Sequence, residues 1–239
     1  LGRPDPRGRP VDDPADYVRL KNLRLTGGGD GLYVSSHSRH YQVEGCALYN
    51  NSGYGIRSPD DHYDWDTPVL LFRNDLIYSN AAGGISITTR ANDTTVEHCT
   101  LYGNGGTAVW GVNSLQNSIV WALGSGRYCL SSDASGDWND IVATGGAGVS
   151  TYGPSLAAWR LATGQELHSL SVDPFFADPA NGDFHLKSTG GRWNPASGSF
   201  ITDAVDSACI DAGDPTESIG LESMPNGGRI NLGTYGGTA

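Results

Sequence analysis

Two lysines, Lys21 and Lys187, and a single methionine are present in 239 residues. With 15 basic and 26 acidic side chains the formal net charge is −11. That balance argues against general nucleic-acid binding, which needs a basic face to neutralise phosphates. A polyanionic ligand can be held only by a local cluster of arginines or by a bridging cation. No apolar run approaches 18 residues, so no helix is expected to span a membrane. The four cysteines, Cys46, Cys99, Cys129 and Cys209, show no CxxC spacing, which argues against a zinc site. There is no initiator methionine and no signal-peptide pattern; the chain opens on Leu1. It reads as a processed or excised portion of a longer chain. Residues 1–17, with prolines at 4, 6, 10 and 14, read as an extended N-terminal linker.

What is abundant is glycine, at 34 residues, together with Asn, Ser and Thr, and this composition predicts many turns and little helix. Short β-branched or aromatic segments recur: KNLRLT (21–26), EGCALYNN (44–51), RNDLIYSN (73–80), EHCTLYGN (97–104), QNSIVWAL (116–123) and WNDIVATG (138–145). Aligning them places Leu25, Leu48, Ile77, Leu101, Val120 and Val142 in one phase, at spacings of 23, 29, 24, 19 and 22. Units of this size cannot bury an apolar face alone and must stack. The recurring grammar, N-(C/D/S)-x-(I/L)-(Y/W)-x-N followed by Gly and a further short strand, resembles the right-handed parallel β-helix repeat family, which includes pectate-lyase-like proteins.

The resemblance implies an all-β fold: a right-handed parallel β-helix over residues 18–150, rising about 4.8 Å per rung. Asn50, Asn80 and Asn104 are then expected to form a turn ladder. Cys46 and Cys99 fall two rungs apart, roughly 10 Å, beyond the reach of a disulfide. In GPSLAAWRLATG (153–164), Ser155 and Gly164 are N-cap and C′ signals of a short helix. The rest resembles the C-terminal segment of many secreted bacterial β-helix proteins. Residues 151–239 are therefore expected to be a helix-bearing insert and an irregular C-terminal cap of the same domain. The family implies a protein that is secreted or displayed at the cell surface.

One stretch departs from the repeat. SPDDHYDWD (58–66) pushes about six extra residues out between Arg57 and Val69. Its stacking partners are SSHSRH (35–40), TTRAND (88–93), GVNS (111–114) and SSDASGD (131–137), which places all of them on one edge of the coil. Paired carboxylates there suit acid–base work on a glycosidic bond. Aspartates also suit Ca²⁺, which takes oxygen ligands. The expected catalytic groups are Asp61, His62, Arg90 and His40. Arg39, Arg57, Tyr63 and Trp65 are the expected substrate-binding residues, the arginines for sugar carboxylates and the aromatics for sugar faces. Asp60, Asp61 and Asp64 are the expected calcium ligands. Two functions stay open at this point. One is extracellular polysaccharide binding with cleavage, as a lyase or a hydrolase; the other is a non-catalytic structural or adhesive surface protein.

Overall fold

The structure is a computed structural model describing residues 17–34, 40–59, 69–88, 93–131, 134–222, 224 and 226–238. Its main body is a coil of three parallel sheets, two of six strands and one of five. Each full rung supplies one strand to each sheet. The third rung, for example, runs through Val69–Arg73, Leu76–Tyr78 and Gly83–Ile87. Pairing is parallel throughout the coil.

Alternation along each second-sheet strand decides what points inward. Leu25 pairs with Leu48, Leu48 with Ile77, Ile77 with Leu101 and Leu101 with Val120. From Leu48 to Val120 this column is fully buried. Its last member is Ile141, which pairs with Val120, and not Val142, which pairs with Trp121. The one-residue shift arises at the preceding corner. There, one residue per rung adopts a left-handed conformation, with φ between 50° and 65°: Asn22, Gly45, Asn74, His98, Asn117 and Trp138. In the sixth rung Trp138, not Asn139, takes that place, so aligning asparagine with asparagine misplaces the strand by one. Asn139 sits one step further along, where its side-chain oxygen accepts from the Ser118 N–H at 2.9 Å.

The opposite corner carries an asparagine ladder, but through Asn51 rather than Asn50. Asn51 Nδ2 donates to Asn80 Oδ1 at 2.9 Å, and Asn80 Nδ2 donates to Asn104 Oδ1 at 3.0 Å. Asn80 and Asn104 also donate to the Leu48 and Ile77 carbonyls. Asn50 is exposed and holds the left-handed turn position itself, at φ 54°. The expected ladder therefore exists, shifted by one residue in one rung. All four cysteines are buried and free, as the rung separation of Cys46 and Cys99 requires.

The helix spans Leu156–Thr163, with the Ser155 hydroxyl accepting from Ala158 N–H and Gly164 closing it at φ 70°. Leu156 and Trp159 insert into the main core cluster. The flanking segment pairs with the last strands of all three sheets: Glu166 N–H with Gly136 O, Leu130 N–H with Val149 O, and Ile141 N–H with Leu170 O. Closure of the coil thus falls to the helix-bearing insert. The tail beyond it runs back along the outer face of the second sheet. Thr234 Oγ1 donates to Asp75 O at 2.8 Å, and Asp214 N–H to Asn117 Oδ1 at 2.7 Å. Among the described residues no helix is long and apolar enough to cross a membrane.

Candidate functional site

The expected edge lies where the third sheet hands the chain back to the first, and the described strands flanking all five connections agree with that placement. Asp60, Asp61, His62, Tyr63, Asp64, Trp65, Arg39 and Arg90 lie outside the described residues. Two members can be placed. His40 opens the strand His40–Glu44 and stacks on Tyr17, with ring centroids 4.3 Å apart. Arg57 turns back along the third sheet. Its guanidinium lies 5.8 Å from the Tyr54 ring centroid and 3.8 Å from the Asp30 carboxylate, at the opposite end of the third sheet.

A second site emerges that the repeat pattern did not announce. Outward positions of the second sheet form a column of Thr26, Tyr49, Tyr78, Tyr102 and Trp121. The tail covers the far half of it: Phe184 packs on Tyr78 and Tyr102, and Phe176 on Tyr102 and Trp121. Over the first rungs the tail stands off, leaving an open groove of about 1480 Å³. Its floor is Arg24, Ala47, Tyr49, Leu76 and Tyr78. One wall is the turn Pro179–Asn181 with the antiparallel hairpin Arg192–Asn194 and Ser199–Ile201. The other comes from Asp211, Glu222, Asn231 and Tyr235.

Aromatic groups dominate this groove. Tyr49 and Tyr78 stack at 4.8 Å, nearly parallel, so their spacing matches the separation of paired strands. Thr26 holds the same column one rung earlier, so no ring of that column covers the outer face of Tyr49. At the hairpin, Trp193 is 42% exposed and Phe200 66%, packed edge to face. His185 stacks on Tyr235 at 3.8 Å, and its Nδ1 lies 2.6 Å from the Asp183 carboxylate. That carboxylate also meets Arg192, which is held in turn by Asp203.

The polar groups of the far wall are unusually placed. Burial raises the pKa of Asp211, against the pull of Arg229. Burial raises Glu222 as well, although the Asn231 and Gly237 N–H groups stabilise its charge. Asp211 Oδ1 and Glu222 Oε2 are both buried without a hydrogen-bond partner. Among the described residues no group of three or more His, Cys, Asp or Glu is arranged to hold a metal ion.

The first five rungs, the sixth and the turn into the helix fall within residues 12–155, which match the profile of the right handed beta helix region. The match covers more than half the chain. The chain belongs to the right-handed β-helix family. Residues 152–213 of this β-helix protein match a second family, described as disaggregatase related. No curated protein and no solved structure matches the chain significantly. The two matches divide the groove between them: the β-helix region supplies its floor, and the second segment supplies the turn and hairpin of one wall.

The sequence carried one signal for this site. The aromatic that follows the inward aliphatic in four successive repeats, Tyr49, Tyr78, Tyr102 and Trp121, marks an outward column wherever the strand alternates. The hairpin that faces it was invisible to repeat analysis, because it lies outside the repeats.

Proposed function

We propose that this β-helix protein binds polysaccharide, and that the chain of sugars lies in the groove between the second sheet and the tail. The observation that carries this reading is the set of half-open aromatic groups lining one groove: Tyr49 on the floor, with no ring of its column over its outer face, and Trp193 and Phe200 on the hairpin. Such faces bury the apolar side of a sugar ring, while polar groups around them serve its hydroxyls. The description of the second family, disaggregatase related, is consistent with action on material that holds cells or particles together. The edge carrying residues 37–40, 57–66 and 90–93 remains a proposed second contact for the polymer, with Asp60, Asp61 and Asp64 proposed ligands of Ca²⁺. Cleavage, as a lyase or a hydrolase, and secretion or surface display belong to the same proposal.

Affinity electrophoresis of the purified chain against acidic and neutral polysaccharides tests it. Tyr49→Ala and Trp193→Ala should each lower affinity about tenfold or more, the usual consequence of removing a central aromatic anchor. Binding by the parent with neither variant impaired would move the site elsewhere on the coil. No binding to any polysaccharide would leave the structural or adhesive role in its place.

A further inference from the structure

Within the groove, one arginine stands apart. The other described arginines are engaged by Glu44, Asp30, Glu97, the Asp183–Asp203 pair or backbone carbonyls. Arg24 is exposed on the groove floor and has no ion pair or hydrogen bond among the described residues. Burial raises the Tyr78 and Tyr235 hydroxyls, Tyr235 to about 12, and the charge of Arg24, which lines the same groove, lowers each slightly. Both phenols are therefore protonated donors at neutral pH, and neither hydroxyl has a hydrogen-bond partner among the described residues.

A fourth group completes the cluster. His185 is fixed by its stack on Tyr235 and by Asp183 at Nδ1. In the tautomer that carries its proton at Nδ1, against the carboxylate, Nε2 is an acceptor. No described protein atom hydrogen-bonds to that nitrogen.

We propose that Arg24, Tyr78 and Tyr235 form an anion subsite for the carboxylate or sulfate of an acidic sugar unit, with His185 Nε2 accepting a hydroxyl of the same unit. This rests on the groove being the polysaccharide site, and it names the class of polymer. Three donors, one of them a guanidinium suited to bidentate contact with an oxyanion, face the groove. The acceptor beside them favours an anion borne on a hydroxylated ring over a free inorganic one. With a net charge of −11 the protein repels polyanions at long range. An acidic glycan therefore needs a local, unpaired cation of this kind.

The test is binding of polygalacturonate, dextran sulfate and neutral galactan to the parent, Arg24→Gln, Tyr235→Phe and Tyr49→Ala, with inorganic sulfate as competitor. The parent should prefer at least one acidic polymer over galactan. Arg24→Gln should lose about ten- to a hundredfold on that polymer, the scale of a charge-assisted hydrogen bond, and keep its galactan binding. Tyr235→Phe should lose severalfold on the acidic polymer alone. Tyr49→Ala should weaken every polymer that binds. Arg24→Gln binding acidic polymers like the parent overturns the subsite. So does a parent that prefers galactan, while Tyr49→Ala still reports on the groove. Competition by millimolar inorganic sulfate as effective as by the sulfated polymer overturns the sugar-borne source. Failure of every polymer to bind removes the groove reading and the subsite with it.

Discussion

Asp75 is fully buried, one step past the left-handed corner of the third rung. One carboxyl oxygen accepts from the Cys46 N–H at 2.7 Å; the other has no partner. Among the described residues no basic side chain forms an ion pair with it. Burial pushes its pKa from 3.8 to about 8, against the pull of the Cys46 and Arg73 N–H groups. The group is therefore neutral in the fold at pH 7 and ionised in the unfolded chain. Between pH 4 and pH 8 the folded state binds the extra proton, so stability falls as pH rises, by about 1.4 kcal/mol per unit. Above the folded pKa the loss levels off. At pH 7 the accumulated penalty is on the order of 4 kcal/mol, a large share of the ~5–15 kcal/mol typical of a domain.

The coil itself shows what relieves the penalty. Equivalent positions in other rungs are Cys46, Cys99, Ser118 and Asn139, all neutral. Asn139 accepts from Ser118 N–H and donates from Nδ2 to Leu115 O at 2.9 Å. Asp75→Asn should adopt the same arrangement and stabilise the protein by about 2–4 kcal/mol at pH 7, with a gain that shrinks toward zero near pH 4. Urea unfolding of parent and variant at pH 5, 6, 7 and 8 measures it. Asp140 and Glu166, buried with pKa values of about 6 and about 7, tilt both curves alike and cancel in the difference. A stability difference that does not change across these four pH values, or a variant weaker than the parent at pH 8, would refute the reasoning.

Asn80→Ala removes the side chain that joins three rungs and leaves buried donors on Asn51 unmatched; it should cost about 3–5 kcal/mol. Asn50→Ala loses only a residue tolerant of its left-handed conformation, so about 1 kcal/mol is expected, and denaturant midpoints separate the two. The buried thiols, with burial raising Cys46, Cys99, Cys129 and Cys209 above their ordinary range, should resist alkylation in the native protein and all react in denaturant, as followed by mass spectrometry. Asp61→Asn and Arg90→Ala test the extruded loop: each should weaken polysaccharide binding while the melting temperature stays within a degree or two, and chelation should weaken it if Ca²⁺ bridges the polymer. Parent-like binding by both variants would exclude that edge.

Much of the fold was legible because stacking imposes a phase on the sequence. The inward aliphatics, five of six in their true positions, and the helix with both caps follow from alternation and capping alone. The two slips share one cause. Asparagine serves both the left-handed corner and the hydrogen-bonded ladder, so the letter does not say which role it plays. At 50–51 and 138–139 adjacent residues compete for the two roles, and only the backbone conformation decides. The site was less legible for a different reason. Arg24 carries no signal as one arginine on a short strand. It becomes notable only once the tail has brought Tyr235 and His185, over 150 residues away in sequence, to face it.

The tail gives the outward aromatic column two different functions. A right-handed β-helix repeats its outer face as faithfully as its core, so Tyr49, Tyr78, Tyr102 and Trp121 start as equivalent surfaces one rung apart. Phe176 and Phe184 convert the later members into a second apolar core, which includes Leu232 and Cys209. That packing anchors the tail, and the anchor fixes where the chain must lift away. Beyond it, Gly182 passes over Tyr78 so closely that an added Cβ would stand 3.0 Å from the Tyr78 hydroxyl, in a left-handed conformation of φ 81°. The groove begins at that crossing. Its floor is thus set by the repeat and its inner boundary by the second core. Substitutions in the covered half should act on stability, and those in the open half on the ligand.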